Sequence, residues 1–307
     1  MGKLKRRTEI VHFYSKDNKP VYEVATGPKA KNPTRPTAVK DAIALDLVPS
    51  VTEIDKAICK NEGLDLWIKG QIAKWCYDNP SSMFSHTEED YIELALKGGS
   101  EKGRLAMDKG TLIHDALEHY LLHGSWGDAP IHIHPWFPYA EKFVNENIKA
   151  VYQAEKAVAS TELGVGGKMD LVCEFNHGIG SLKTVLDWKT QDVKIKKLKR
   201  GDEKDPKFYD SWIRQLALYS LMEFLEGLPD WAKAYFISTI KSDSSSLIES
   251  TVRGLPRIVS VVIDSNEPCD FFVKVWSNDE ILTGLNQALA NLHAWHMLYF
   301  KPKGCII

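Results

Sequence analysis

Asp187 and Lys189 stand two residues apart in Leu186-Asp187-Trp188-Lys189-Thr190. On a β-strand that spacing puts both side chains on one face, roughly 7 Å apart along the chain. Asp170 belongs to Gly167-Lys168-Met169-Asp170, where a second stretch of strand character, Met169 to Phe175, begins. Between the two acids lies His177-Gly178-Ile179-Gly180-Ser181, a turn cluster. Two antiparallel strands joined there bring Asp170 and Asp187 side by side. Adjacent carboxylates repel unless a cation lies between them, so a divalent metal is the natural third member. A lysine on the same face then lies beside a metal-bound water or a substrate anion. Such a set is equipped to hydrolyse a phosphodiester.

Three further elements must position this pair. A helix ending at Gly124 carries Gly110-Thr111-Leu112-Ile113-His114, with His114 and Glu118 one turn apart on one face. A lone histidine on such a helix is more often structural than a ligand, and Glu118 reads as a partner of His114 or of a base. A strand from Ala150 to Ser160 carries Glu155, which reads equally as a solvent-face glutamate. A helix from Tyr209 to Leu225 carries Gln215 and Tyr219 at i and i+4.

The set Glu155, Gly167-x-x-Asp170, Asp187-x-Lys189 and Gln215-x-x-x-Tyr219 resembles the PD-(D/E)XK nuclease superfamily. More narrowly it is similar to the RecB-type exonuclease branch, which places a metal-binding histidine in a Gly-Thr-x-x-His segment, here ending at His114. The resemblance covers about residues 102 to 240 and lacks helicase motifs, as in stand-alone phage or organellar exonucleases. It implies an α/β (α+β) fold with a restriction-endonuclease-like core, a small mixed sheet flanked by helices. It implies Mg²⁺, with Mn²⁺ as substitute, held by His114, Asp170, Asp187 and the Trp188 backbone carbonyl. Glu155 joins them as a second-site or water-mediated ligand. Asp170, Asp187, Lys189, Gln215 and Tyr219 take the catalytic roles, and Gln215 positions phosphate or water. The substrate is DNA, single-stranded or at duplex ends. Two alternatives stay open: a structure-specific or repair endonuclease, and a non-cleaving DNA-binding module on a decayed nuclease fold.

Composition restrains the partner classes. The chain has 307 residues, 44% hydrophobic and 26% charged, with a net charge of -2. A DNA contact must therefore come from a local basic patch. Lys194, Lys196, Lys197, Lys199 and Arg200 form one directly after the Asp187–Lys189 strand, and Lys168 adds another cation. The ordinary reading of such a run is a solvated loop, but this one stands where substrate must enter. The acidic stretch 201–205 behind it reads as mobile. The cysteines, Cys59, Cys76, Cys173, Cys269 and Cys305, are scattered. That pattern predicts a reducing, intracellular compartment (cytoplasm, the host's if phage-encoded) and neither disulfides nor a zinc ribbon. Some RecB-type nucleases clamp an iron–sulfur cluster with clustered downstream cysteines. Only Cys269 and Cys305 follow Tyr219, so no such cluster is expected. No secretory signal or membrane span is expected either, and protein partners are left open.

The remaining elements follow from local pattern. Residues 1–101 read as an N-terminal hairpin and helical region packed on a core of residues 102–307. The hairpin joins 10–14 to 21–24, and 26–40 is an exposed loop. Ser50 to Glu53 is a capping box. Trp67 and Trp75 share a helix and read as core, with base stacking as the alternative. A helix capped at Thr87 stops at Gly98-Gly99, and the His114 helix begins near Gly103 or Asp108. His119 and His123 have zinc-like spacing but no third ligand. Gly164 to Lys168 fails as a phosphate loop, because Glu162 stands where glycine is needed and Met169 follows the lysine. Its glycines read as points of close substrate approach. Residues 231–240, 257–263 and 271–276 read as strands, 242–246 as a flexible loop, and Ser277 opens a last helix.

Overall fold

A computed structural model describes residues 12–27, 30–59, 62–178, 180–198, 201–241 and 252–307. The chain opens with β1 (Phe13–Tyr14), β2 (Glu23–Ala25), β3 (Thr34–Pro36), α1 (Val39–Leu45) and β4 (Val48–Pro49). The expected turn forms, with the Val21 N–H donating to the Phe13 carbonyl at 2.8 Å. The ladder does not continue as a simple hairpin: β1 pairs with β4, and β2 with β3 inside the stretch read as a loop. Burial decides this, since Phe13 and Val48 are both fully buried. Next come α2 (Val51–Ile58), α3 (Glu62–Asp78), α4 (Ser82–Ser85) and α5 (Glu88–His123). Ser50 caps α2 and Thr87 caps α5 through the backbone N–H three residues on.

Two expectations fail in this region. The helix capped at Thr87 does not stop at Gly98-Gly99: α5 is one helix of 36 residues. The glycines are instead where α3 approaches. A Cβ on Gly98 would lie 2.0 Å from Trp75 Nε1, and one on Gly99 2.5 Å from Ile72 Cγ1. Hydrogen in place of a side chain lets the helices close. The boundary drawn at 101/102 thus falls inside a continuous helix. The tryptophans of α3 are not core either. No α3 residue is buried, and among the described residues α3 packs chiefly against α5.

After α5 follow a 3₁₀ turn (Ile131–Trp136), α6 (Phe137–Asn147), β5 (Ile148–Ser160), β6 (Val165–Asn176) and β7 (Ser181–Gln191). Then come β8 (Lys194–Leu198), β9 (Gly201–Asp205), α7 (Asp210–Glu226), α8 (Asp230–Lys241), β10 (Arg257–Asp264), β11 (Phe272–Val275) and α9 (Asn278–Leu298). Gly124, in the left-handed region, terminates α5, and a Ser277–Glu280 capping box opens α9. The central sheet is mixed, in the order β11-β10-β7-β6-β5. Only the β10–β7 pair is parallel. Alternation gives the sheet two apolar faces. Val172, Val185 and Ile258 join the core built with α7 and α9, while Leu171, Leu186 and Val259 join that built with α5 and α6. This is a mixed α/β fold with a small mixed sheet flanked by helices.

Residues 231–240 form a helix rather than a strand. Their aromatic and β-branched composition favours a strand, but Ile237 and Ile240 are buried at helical spacing while Trp231 and Tyr235 stay exposed. The segment expected to be a mobile acidic loop is β9, paired with β8. Residues 242–246 lie outside the described residues. No helix among the described residues is long and apolar enough to cross a membrane.

Candidate active site

Three adjacent strands place three carboxylates level with one another. In the β6–β7 ladder the last paired residues are Leu171 and Leu186, so Asp170 and Asp187 stand opposite one step beyond. The backbones part there because the Asp170 carboxylate accepts the Trp188 N–H at 2.9 Å. In the β5–β6 ladder Ala154 pairs with Leu171 and Lys156 with Met169, which sets Glu155 level with Asp170. Glu155 has φ +50°, a conformation that costs a side-chain-bearing residue energy and signals a local constraint. The result is a lateral row, Glu155–Asp170–Asp187.

His114 is brought to this row by a close helix–strand contact. A Cβ on Gly110 would lie 2.6 Å from Thr190 Oγ1, so glycine lets α5 lie against the end of β7. One turn later, His114 Nδ1 is 3.8 Å from Asp170 Oδ2. Ligand atoms of His114, Glu155 and Asp170 all lie within 4.8 Å of one another. Glu155, the tentative member of the expected metal set, is thus inside the cluster. Asp187 is adjacent to it but engaged by Lys189, whose Nζ is 2.7 Å from Asp187 Oδ2.

Asp187 is buried, and the Lys189 ammonium is the cation that its Oδ2 meets. Lys189 Nζ reaches on to Gln215 Oε1 at 3.5 Å, and Gln215 Nε2 to the Tyr219 hydroxyl at 3.4 Å. The Tyr219 ring lies on Gly167, where a Cβ would be 2.4 Å from Cε1. Asp187, Lys189, Gln215, Tyr219 and Gly167 therefore form one chain of contacts across β6, β7 and α7. The other glycines of 164–167 also lie close to side chains: Gly166 faces Tyr14, and Gly164 faces His296 and Cys305.

The electrostatics suit a cation. Burial and then the Asp187 charge push the Asp170 carboxyl well above its ordinary range. Burial raises Glu155 too, opposed by Lys168. Burial lowers His114 to about 4, so its imidazole is neutral near pH 7 and has a lone pair to give. For Lys189 burial opposes the charge, but Asp187 and Asp170 outweigh it and its pKa is raised. A crowded set of mostly shielded carboxylates and a neutral imidazole fit a divalent cation with mostly oxygen ligands. Trp188 lies between the two motif residues, its indole packed at 5.6 Å from Phe143.

The basic run is built differently. Across the β8–β9 ladder Lys194 opposes Asp205, Lys196 opposes Glu203 and Lys197 opposes Asp202. Lys199 and Arg200 lie outside the described residues. Lys168 is ion-paired with Glu155. His119 Nδ1 is occupied by the Ser125 carbonyl at 2.7 Å.

Sequence reasoning overlooked several neighbours. Asp115 acts on His114; Glu118, expected as a partner of His114 or of a base, acts on Lys168 and Glu155. Trp212 lies 5.9 Å from Lys189 Nζ and stands three residues before Gln215, a helical spacing that places it on the same face. Tyr14 and Tyr22, bonded at 2.9 Å, feel the charges of the site from far upstream in the chain, where no local signal points to them. No family model matches the chain, and no curated protein matches it.

Proposed function

We propose that this chain is a metal-dependent DNA nuclease with a PD-(D/E)XK core of the RecB type, hydrolysing phosphodiester bonds at DNA ends. The observation that carries the reading is the level row Glu155–Asp170–Asp187, with His114 on one flank and Lys189 on the other. These pieces come from four elements, and each glycine of the motifs has a packing reason to be there.

His114, Asp170 and Glu155 would hold Mg²⁺ or Mn²⁺, with Asp187 and the Trp188 carbonyl as further oxygen donors. The metal supplies Lewis-acid polarisation of the phosphate and a water of lowered pKa. The chain's own residues do the rest. Lys189, kept protonated by the two aspartates, offers positive charge where a phosphorane-like anion develops. Gln215 holds the Lys189 ammonium in place and presents its amide to phosphate or water. Tyr219 fixes Gln215 from behind. Neutral His114 donates its lone pair without competing for a proton at pH 7.

Digestion of end-labelled single- and double-stranded linear DNA, with Mg²⁺, Mn²⁺ or EDTA, tests the reading. Metal-dependent shortening from the ends is expected, with circular DNA spared. Absence of any metal-dependent cutting contradicts it. Equal cutting of circles keeps the nuclease and removes the dependence on ends.

A further inference from the structure

Lys168 pairs with Ala157 in the β5–β6 ladder and lies diagonal to Glu155. At that diagonal the two side chains meet: the Lys168 ammonium is ion-paired with the Glu155 carboxylate. Glu155 is also a member of the cluster with His114 and Asp170. One carboxylate thus has two claims on it. The backbone of Glu155 is held in the left-handed region, and its carboxylate is mostly shielded while the Lys168 side chain is about half exposed, 15% against 46%. The acid is fixed in the site, and the lysine has solvent to move into.

We propose that Lys168 is the resident counter-cation of the carboxylate row: its ammonium holds Glu155 when no metal is bound and is expelled by an entering divalent cation. This rests on the metal-site reading above. An ammonium and a divalent cation sharing one carboxylate repel across a short, poorly screened distance. The released ammonium stands at the exposed margin of the row, free to meet a phosphate oxygen. Metal binding and phosphate binding then favour one another through a single side chain, and the coupling is reciprocal.

Calorimetric titration of the full chain with Mn²⁺ at low ionic strength tests this. The proteins are wild type, Lys168→Met, Lys168→Arg, Glu155→Gln and Glu155→Gln/Lys168→Met. Lys168→Met is expected to tighten Mn²⁺ binding about tenfold, and Lys168→Arg to stay near wild type. In the Glu155→Gln background the effect of Lys168→Met should shrink to about twofold. A second measurement needs no variant. Acetylation of Lys168 in the wild-type protein, followed by mass spectrometry, should speed up when Mn²⁺ is added. Unchanged or weaker Mn²⁺ binding by Lys168→Met overturns the proposal, as does unchanged or slower labelling. If neither wild type nor any variant binds Mn²⁺, the metal reading fails and the proposal falls with it.

Discussion

The carboxylate row and the β8–β9 hairpin are both dense in charge, yet they balance it in opposite ways. On the hairpin each described lysine of β8 faces an acid of β9 a few residues away. In the row, three acids face one another, and their counter-charges come from Lys189 on the same strand and Lys168 on the next. On the hairpin opposite charges stand across from one another on an exposed surface. The row is mostly shielded and mutually repulsive, and the cation that meets Asp187 is Lys189. Natural folds keep such an arrangement where a ligand completes it. Charge that is balanced within its own hairpin carries no such demand.

The largest test of this contrast is Lys189→Ala. Cleavage should fall about thousandfold, while Mn²⁺ binding by calorimetry is kept or tightened, since a cation and not a ligand is lost. Loss of metal binding together with cleavage would place Lys189 in the structure of the site and outside the chemical step.

His114→Gln comes next. Metal affinity should fall by about ten- to a hundredfold, read as a rise in the Mg²⁺ or Mn²⁺ concentration needed for half-maximal cutting. A pH effect accompanies it. Folded His114 titrates near 4 against an ordinary 6.5. The unfolded chain therefore binds more protons between those values, and the His114 contribution to stability is lost as pH falls through that window. Wild type should lose roughly 2 kcal/mol more than His114→Gln between pH 7 and pH 4.5. Asp170, 3.8 Å from His114, pulls the other way in both proteins. Equal acid sensitivity in urea melts would mean that the surroundings of the imidazole do not hold its pKa down.

Gly167→Ala probes the packing beneath the row. The added methyl meets the buried Tyr219 ring and should cost about 1–3 kcal/mol, measured by urea melts. The cost should shrink in a Tyr219→Ala background.

How much of this was legible in the sequence follows from how local each feature is. The Asp187–Lys189 face, the turn between β6 and β7, and the Gln215–Tyr219 spacing are fixed by periodicity over a few residues, and all three are realised. The place of Glu155 depends on a left-handed residue and the β5–β6 register, neither of which a single strand's pattern encodes. Gly98 and Gly99 read as a helix end because glycine ends helices. Only α3 lying against them shows that they admit Trp75 and Ile72. The strand-like composition of 231–240 yielded to the burial of Ile237 and Ile240 at helical spacing. The acidic partner strand of the basic run was present in the sequence, and counting charges on either side of residues 199–200 would have found it.

The smallest effect belongs to the hairpin. Neutralising Lys194, Lys196, Lys197, Lys199 and Arg200 together should lower the salt slope of DNA binding by less than the ~0.7 to 0.9 per residue of full phosphate contacts, because three of these lysines stand opposite acids of β9 and Lys194 is ion-paired with Asp192. A full-sized drop in titrations at several salt concentrations would mean that DNA displaces the acids of β9.

The central claim is that the row is a metal-dependent hydrolytic site, and Asp187→Asn addresses it most directly. The substitution keeps size and removes one charge from the row. Single-turnover cleavage of end-labelled linear DNA in Mn²⁺ should fall at least about thousandfold relative to wild type. Cutting at a near wild-type rate would contradict the account of this site.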